Sequence, residues 1–204
     1  MAQSLAPAVV LPLLRGRFGR PYRYVERCAS TQRLVRANDR EGTVVCAEEQ
    51  TEGRGRLGRS WQAPARTSIL VSVLLEPRIE GARLPELSLV AGRAVADAIG
   101  AETGLVPSLK HPNDVLIRGK KVAGILAEAS ERRVVLGIGV NVNQTREQLP
   151  AEAQTTPTSL RLETGREIDR AALLAAILER LELAYDVWLR ETESSAAVSG
   201  RILG

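Results

Sequence analysis

The sequence predicts an α+β domain built on a mixed, largely antiparallel sheet. Three observations carry that reading. Strand-like runs follow one another across tight turns, at Arg118-Gly119-Lys120 and again at Ser130-Glu131, as adjacent antiparallel strands do. Two stretches carry a long apolar stripe at helical spacing, and they stand between groups of strands instead of alternating with them. The composition, 44% hydrophobic, 25% charged and 3% aromatic over 204 residues, supports a core of Leu, Val, Ile and Ala without covalent staples.

Taken in order, residues 22–28 are the first strand. Ser30-Thr31 then stands in the capping position of a short helix over 32–37. The run 43–48 (TVVCAE) is a buried strand, and a long polar loop over 49–66 joins it to a third strand at 67–75 (TSILVSVLL). Leu84, Leu87, Ala91, Ala94 and Ala98 place an amphipathic helix over 84–101. Strand-like VPSL follows, then the polar knot Lys110-His111-Pro112-Asn113-Asp114, then VLI. VAGILAEAS and VVLGIGVNV form the last two strands, and a loop with Pro150 and Pro157 leads to a helix from about 169 to 190. Its stripe is Leu174, Ile177, Leu178, Leu181, Tyr185 and Trp188. With no internal repeat and no long linker, residues 22–190 read as one domain, 1–21 as an N-terminal extension and 191–204 as a tail.

The charge balance excludes little: a net +4 permits anionic partners without requiring nucleic acid. The kind of basic residue is more telling. Lysine occurs only at 110, 120 and 121, and arginine everywhere else. Cys28 and Cys46 lack metal-ligand spacing and lie in apolar strands, so both are expected as reduced, buried thiols of a cytoplasmic protein. The apolar run 5–14 is too short to span a bilayer and lacks a basic leader, so neither a membrane helix nor a secretion signal is expected.

Gly53-Arg54-Gly55-Arg56-Leu57-Gly58 satisfies GxGxxG, but no helix opens after it, as a dinucleotide-binding turn would require. Glycines that let backbone approach a ligand, with Arg54, Arg56 and Arg59 and no acid between 53 and 75, suit a carboxylate or phosphate. Trp61 offers a flat surface for a base or for packing the loop down. An exposed arginine loop, or a single-strand RNA contact, is the alternative. Lys110 at a strand end can reach an anion as a point charge. His111, the lone histidine, has no triad partner and is expected to pack or to hydrogen-bond. Asn113 and Asp114 are expected to bond the local backbone. Strand alternation places Lys121, Ala123 and Ile125 on one face, and Gly137, Gly139 and Asn141 on one face of the next strand. Those glycines leave room for a bulky ligand on the sheet.

Five separated segments now stand in order: Ser30-Thr31-Gln32, EEQTEGRGRLGRSW at 48–61, KHPND at 110–114, GKKVAGILAE at 119–128 and GIGVNVN at 137–143. With these the chain resembles the catalytic domain of biotin protein ligases over roughly residues 22–190. The resemblance implies the α+β fold shared with lipoate ligases and class II aminoacyl-tRNA synthetases. It also implies a two-step reaction. Biotin and ATP, with Mg²⁺, give biotinyl-5′-adenylate, and the biotinyl group passes to a lysine of a biotin carboxyl carrier protein. By motif, Ser30, Thr31, Gln32 and Gln50 would hold biotin, and Gly53, Arg54, Gly55 and Arg56 would close over it. Lys110 would sit near the biotin carboxylate and the α-phosphate, with Arg56 the second catalytic residue. Arg59 and Trp61 would complete the lid at the adenylate, and Lys121, Gly137 and Asn141 would form its wall.

The chain departs from the family pattern in three ways. His111 stands where the family has tryptophan. Some twenty residues precede the first strand, too few for a winged helix, so no DNA partner is expected. Sixteen residues follow Trp188, too few for a small β domain. A homodimer is a further implication of the resemblance. Lipoate or octanoate activation on the same fold is the rival enzyme, and a nucleic-acid-binding module the rival from another class.

Overall fold

The computed structural model describes residues 4–77, 83, 85–130, 133–151 and 153–202, the side chains of 193–202 excepted. Seven strands form one mixed sheet in the order β1-β2-β3-β7-β6-β5-β4. They are β1 (Tyr22–Cys28), β2 (Val44–Gln50), β3 (Ser68–Leu75), β4 (Ser108–Lys110), β5 (Asp114–Ile117), β6 (Lys120–Ser130) and β7 (Arg133–Asn141). Only β1 and β2 are parallel; all other neighbours are antiparallel. The expected α+β class is therefore the observed one. A parallel pair needs a crossover of a dozen or more residues, and the segment 29–43 supplies it. Its consequence is functional: β1 and β2 end side by side, Cys28 opposite Gln50.

Among the described residues four α-helices accompany the sheet: α1 (Pro7–Val10), α2 (Glu86–Thr103), α3 (Leu160–Thr164) and α4 (Arg170–Ile202). The Asp169 carboxylate caps α4 by accepting from the amides of Ala171 and Ala172 at 2.9 and 3.1 Å. All six residues of the predicted stripe on α4 are buried, and Trp188 Nε1 donates to Glu86 Oε2 at 2.8 Å, tying α4 to α2. The helix does not stop near 190 but runs on to 202. Helix α2 ends where Gly104 adopts φ 74°, a left-handed C-cap open to glycine at no steric cost. Leu84, expected in its first turn, and Glu131, expected in the last hairpin turn, lie outside the described residues.

The core fills the space between the helices and one face of the sheet. From the strands come Val44, Cys46, Ile69, Val73, Val115, Ile125, Leu136 and Val140, meeting Leu87, Ala91 and Ile99 of α2 and Leu174 and Ile177 of α4. The N-terminal extension is part of this core. Leu5, Val10, Leu14 and Phe18 are buried, and Arg17 pairs with Glu182 and Asp186 on α4. One buried ion pair crosses the core: Arg170 Nη1 lies 2.6 Å from Glu48 Oε2, and Glu48 Oε1 accepts from the Leu5 amide.

Two local expectations fail for physical reasons. The segment after Ser30-Thr31 is a single 3₁₀ turn at Gln32–Leu34, and Thr31 does not cap it. Its hydroxyl goes instead to Gln50 Oε1 (3.0 Å) and Ser72 Oγ (2.7 Å), tertiary partners that outcompete the cap. On β6, Lys121 does not share a face with Ala123 and Ile125. The β5–β6 register slips between Val115 and Leu116, which pair with Ala123 and Lys121, so Val122 is an inserted bulge residue. The bulge turns Lys121 to the opposite face. Both cysteines are free as expected, with Cys46 buried and Cys28 half-buried. Burial pushes the Cys46 thiol up to about 12 and raises Cys28 as well, so neither is a thiolate at neutral pH.

Candidate functional site

The face of the sheet away from the helices carries a cleft of about 490 Å³. Its first wall follows from the parallel pair. The chain leaving β1 at Ser30-Thr31-Gln32 meets the end of β2 at Gln50, whose Oε1 accepts from the Thr31 amide at 2.7 Å. Ser30, Thr31 and Gln32 are all buried at this junction. The Gln32 amide donates to the carbonyls of Leu126 and Val135 at 3.3 Å, reaching across to β6 and β7.

The expected polar loop is a small hairpin over 53–61. Gly55 N donates to Arg59 O at 2.7 Å, Trp61 N donates to Gly53 O at 2.8 Å, and Arg54 bridges Ser60. Its tip is a 3₁₀ turn at Arg56–Gly58 with Leu57 at φ 57°. No helix opens there, which removes the dinucleotide reading of the glycines. Gly53 is needed because a Cβ there would lie 2.3 Å from the Trp61 carbonyl oxygen.

The hairpin lays Trp61 on the sheet. A Cβ at Gly139 would lie 2.6 Å from Trp61 Cε2, and one at Gly124 would lie 3.0 Å from Cζ3. A Cβ at Gly137 would lie 3.0 Å from Gln32 Cδ. The glycine floor is thus real, but Trp61 and Gln32 rest on it, and the room beside them is what a ligand can take. The Trp61 Nε1 is buried and has no acceptor among the described residues. An unmatched buried donor costs about 1–3 kcal/mol, which an acceptor atom on a ligand would remove.

The cations around the cleft fall into two groups. Arg54 is paired with Glu128 at 2.5 Å, Lys121 with Asp114 at 2.7 Å, and Arg59 donates to Gln154 Oε1 at 2.8 Å and to the Arg56 carbonyl at 3.1 Å. The half-buried Arg56 side chain lines the cleft and has no partner among the described residues. A guanidinium held at the mouth of a pocket without a counter-charge is set for an incoming anion.

All of the sequence-predicted site residues line this cleft except Gly53 and Lys110. Gly53 is buried under the hairpin. Lys110 is exposed at the end of β4, its Nζ 2.7 Å from Oγ1 of Thr155, which does line the cleft. His111 is exposed and makes no hydrogen bond with a described residue, so the packing expected of it is not found. Asn113 and Asp114 do not bond the local backbone. Asn113 Nδ2 donates to Ile125 O at 2.9 Å, and Asp114 holds Lys121. Asn141 lines the cleft and also donates to Thr158 O at 3.0 Å, fixing the segment that carries Gln154 and Thr155. Gln154, Thr155, Asp114 and Gly124 are site residues that motif reading passed over. The first two lie in a loop without any motif, and the others needed the β5–β6 register to be known.

A family model described as the biotin/lipoate A/B protein ligase family matches residues 24–144. The bifunctional ligase/repressor BirA of Bacillus spizizenii is 42% identical over 171 residues, 79% of this chain and 53% of that protein. The biotin–[acetyl-CoA-carboxylase] ligase of Mycobacterium tuberculosis is 40% identical over 177 residues, 81% of this chain and 62% of that one. Among solved structures, the biotin protein ligase of Aquifex aeolicus in complex with biotin and ATP superposes with a TM-score of 0.76 at 37% identity, covering 83% of this chain and 72% of that one. The chain spans about half to three fifths of the length of these two sequence relatives.

Proposed function

The chain belongs to the biotin/lipoate A/B protein ligase family, and from that premise we propose that it is an ATP-dependent biotin ligase that loads a carrier-protein lysine. The observation that carries the reading is the cleft itself: the residues expected at a biotin and adenylate site, Gly53 and Lys110 apart, line it, with Arg56, unpartnered among the described residues, free to meet an anion.

The chemistry follows from charge. A carboxylate oxygen of biotin attacks the α-phosphorus of ATP, the bond to the pyrophosphate oxygen breaks, and an acyl adenylate forms. Both reactants are anionic, so alignment and positive charge supply the rate rather than a side-chain nucleophile. Arg56 lines the cleft as the available guanidinium, and Lys110 stands at its rim, able to exchange its Thr155 hydroxyl for a phosphate oxygen. Ser30, Thr31, Gln32 and Gln50 offer amide and hydroxyl groups suited to an uncharged polar ring, while Trp61 presents its indole to the nucleotide side. Lys121, Gly137 and Asn141 wall that side. In the second step an amine of the acceptor attacks the acyl carbon, AMP leaves, and the amine gives up a proton.

Mg²⁺ belongs with the nucleotide. Among the described residues no group of three or more His, Cys, Asp or Glu could hold an ion, and Asp114 and Glu128 at the cleft are each paired with a cation. No protein-held site fits the metal, and no step above is routed through it. We further take residues 22–190 as the catalytic unit, a biotin carboxyl carrier protein as acceptor, the cytoplasm as location and a homodimer as assembly. Among the described residues no helix is long and apolar enough to cross a membrane.

Pyrophosphate exchange into ATP tests the reading, with biotin, lipoate or no acid added. Exchange that requires biotin is the expected result. Exchange driven by lipoate alone would assign the rival acid, and exchange indifferent to any acid would overturn the reading.

A further inference from the structure

Asn141 ends β7 two residues beyond Gly139, on the face of the sheet where Trp61 is seated, and it lines the cleft. A carboxamide there can offer a ligand an acceptor or a donor, and its neighbours set which. The Thr158 carbonyl can only accept, so the atom 3.0 Å from it is Nδ2. The other atom is then Oδ1, and the group facing it at 2.9 Å must be a donor, Nε2 of Gln144. A single backbone carbonyl therefore orients both amides.

Gln144 is fully buried and does not line the cleft. Its Nε2 also donates to Ser68 Oγ at 2.6 Å, and its backbone carbonyl accepts from Ser159 Oγ at 2.7 Å. Its Oε1 has no donor among the described residues. Turned end for end, the amide could offer that oxygen to the Ser68 hydroxyl, but it would then set oxygen against oxygen at Asn141. The observed orientation leaves Oε1 unmatched and keeps a donor on Asn141, as expected of a group fixed for its neighbour's sake.

We propose that Gln144 is a positioning residue that sets base specificity. By donating to Asn141 Oδ1 it locks the carboxamide with its remaining lone pair towards the ligand. That lone pair suits the exocyclic amine of adenine and opposes a purine with a carbonyl oxygen at the same position. A carbonyl oxygen accepts at two lone pairs, and Gln144 occupies only one. Two acceptors forced together in a desolvated site discriminate more strongly than a missing contact does. The proposal deepens the ligase reading and rests on it for the presence of a nucleotide beside Trp61.

ATP and inosine triphosphate differ only at that edge of the purine, amine and bare ring nitrogen against carbonyl and ring N–H. Biotin-dependent pyrophosphate exchange into each is the test. In the wild type, KM for inosine triphosphate should exceed that for ATP at least about tenfold. Gln144→Met removes the donor and fills nearly the same space, so the Asn141 amide is held by Thr158 alone. KM for ATP then rises about three- to tenfold, KM for inosine triphosphate rises less or falls, and KM for biotin stays unchanged. A glutamine that only stabilises the fold would raise both nucleotide KM values by one factor or move neither. Either result overturns the proposal, as does a wild type that does not discriminate. Ser68→Ala removes only the hydroxyl that shares Nε2 and is the milder variant should Gln144→Met fail to fold. Its discrimination should fall about twofold, and unchanged discrimination in that folded variant overturns the proposal too. Exchange that ignores biotin in the wild type would sink the functional reading alone, since the comparison of the two nucleotides still runs on that exchange.

Discussion

Replacing Gly139 with alanine tests the architecture of the site more sharply than removing any charge. The new Cβ would meet Trp61 Cε2 at 2.6 Å, Cζ2 at 2.9 Å and Cδ2 at 3.0 Å, three atoms of one rigid ring. No rotation of a flexible end relieves that contact, so the indole must leave its seat. A tryptophan buries about 200 Å², and losing half of that at about 25 cal/mol per Å² costs about 2.5 kcal/mol of hairpin closure. Ligand binding that requires the closed hairpin then weakens by roughly 10- to 70-fold. The fold itself should not suffer, because alanine in a strand is favoured over glycine by about 0.5–1 kcal/mol.

Gly137→Ala is the matched control, two residues away on the same strand and face. Its Cβ would meet Gln32 Cδ at 3.0 Å, the end of an amide that can turn aside, and its three nearest contacts all belong to that side chain. Trp188 is only 5% exposed, so acrylamide quenching in the native state reports mainly on Trp61. The expected result is strong quenching and raised KM for ATP in Gly139→Ala, native quenching in Gly137→Ala, and urea midpoints at or above wild type for Gly139→Ala. Equal effects of the two substitutions, or a Gly139→Ala protein with native quenching and native KM, would refute the seat.

Arg56→Ala should slow adenylate formation by about 10²- to 10³-fold, as expected for a lost donor to developing charge. Arg54→Ala, which breaks only a half-exposed pair with Glu128, should change the rate less than about fivefold; similar losses would contradict the division between free and paired arginines. Arg170→Met strands the Glu48 charge in the core and should lower stability by about 3–5 kcal/mol in urea titrations, with Glu48→Gln in the same chain recovering part of it. Stability should also fall in acid. Burial opposes ionisation of Glu163, but the Thr158 hydroxyl and Lys120 outweigh it and hold the carboxyl below the ordinary range; hydrogen bonding to Arg17 does the same for Asp186. Both carboxyls are more acidic folded than unfolded, so their contribution is complete above pH of about 4–5 and fades as pH drops through the folded values. Urea midpoints from pH 6 to 3 should show this, with a flatter profile for Glu163→Gln. Lys110→Ala should slow exchange at least about tenfold through loss of a charge-assisted bond, whereas Lys120→Ala should leave it within about twofold, its partner Glu163 lying outside the cleft.

What could be read from the sequence was what is local or periodic. The α4 stripe and the antiparallel β6–β7 pair each lie within one contiguous stretch, and both are present as expected. What could not be read depended on register and on distant partners. Alternation places Lys121 beside Ala123 only if no residue is inserted, and the Val122 bulge reverses its face. The capping signal of Ser30-Thr31 was locally sound but lost to Gln50 and Ser72, which are far along the chain. The glycines of β7 were read as room for a bulky ligand, and nothing local showed that Trp61 and Gln32 would rest on Gly139 and Gly137. The N-terminal extension was set apart from the domain at 22–190, yet the Leu5 amide donates to Glu48 Oε1 within the core.

The three lysines illustrate how a correct signal can point to a wider cause. Their restriction to 110–121 drew Lys110 and Lys121 to the adenylate site and left Lys120 without a role. In the structure all three serve the segment that closes the far side of the cleft. Lys110 holds Thr155, Lys121 brackets Pro157 through its backbone, and Lys120 joins Arg118 on the Glu163 carboxylate. That carboxylate is only 4% exposed and also accepts from Thr158 at 2.7 Å, so it is an anchor with several donors. The segment it anchors carries Gln154, which meets Arg59 of the hairpin. Positive charge near the cleft therefore goes mostly to holding walls together, and Arg56 is the cleft-lining cation without a partner among the described residues. This ordering makes physical sense for a site that must bring two anions into contact. Cations held by wall residues give rigidity without drawing a ligand into the wrong place, and the Arg56 guanidinium, without a partner among the described residues, marks where the negative charge is to sit.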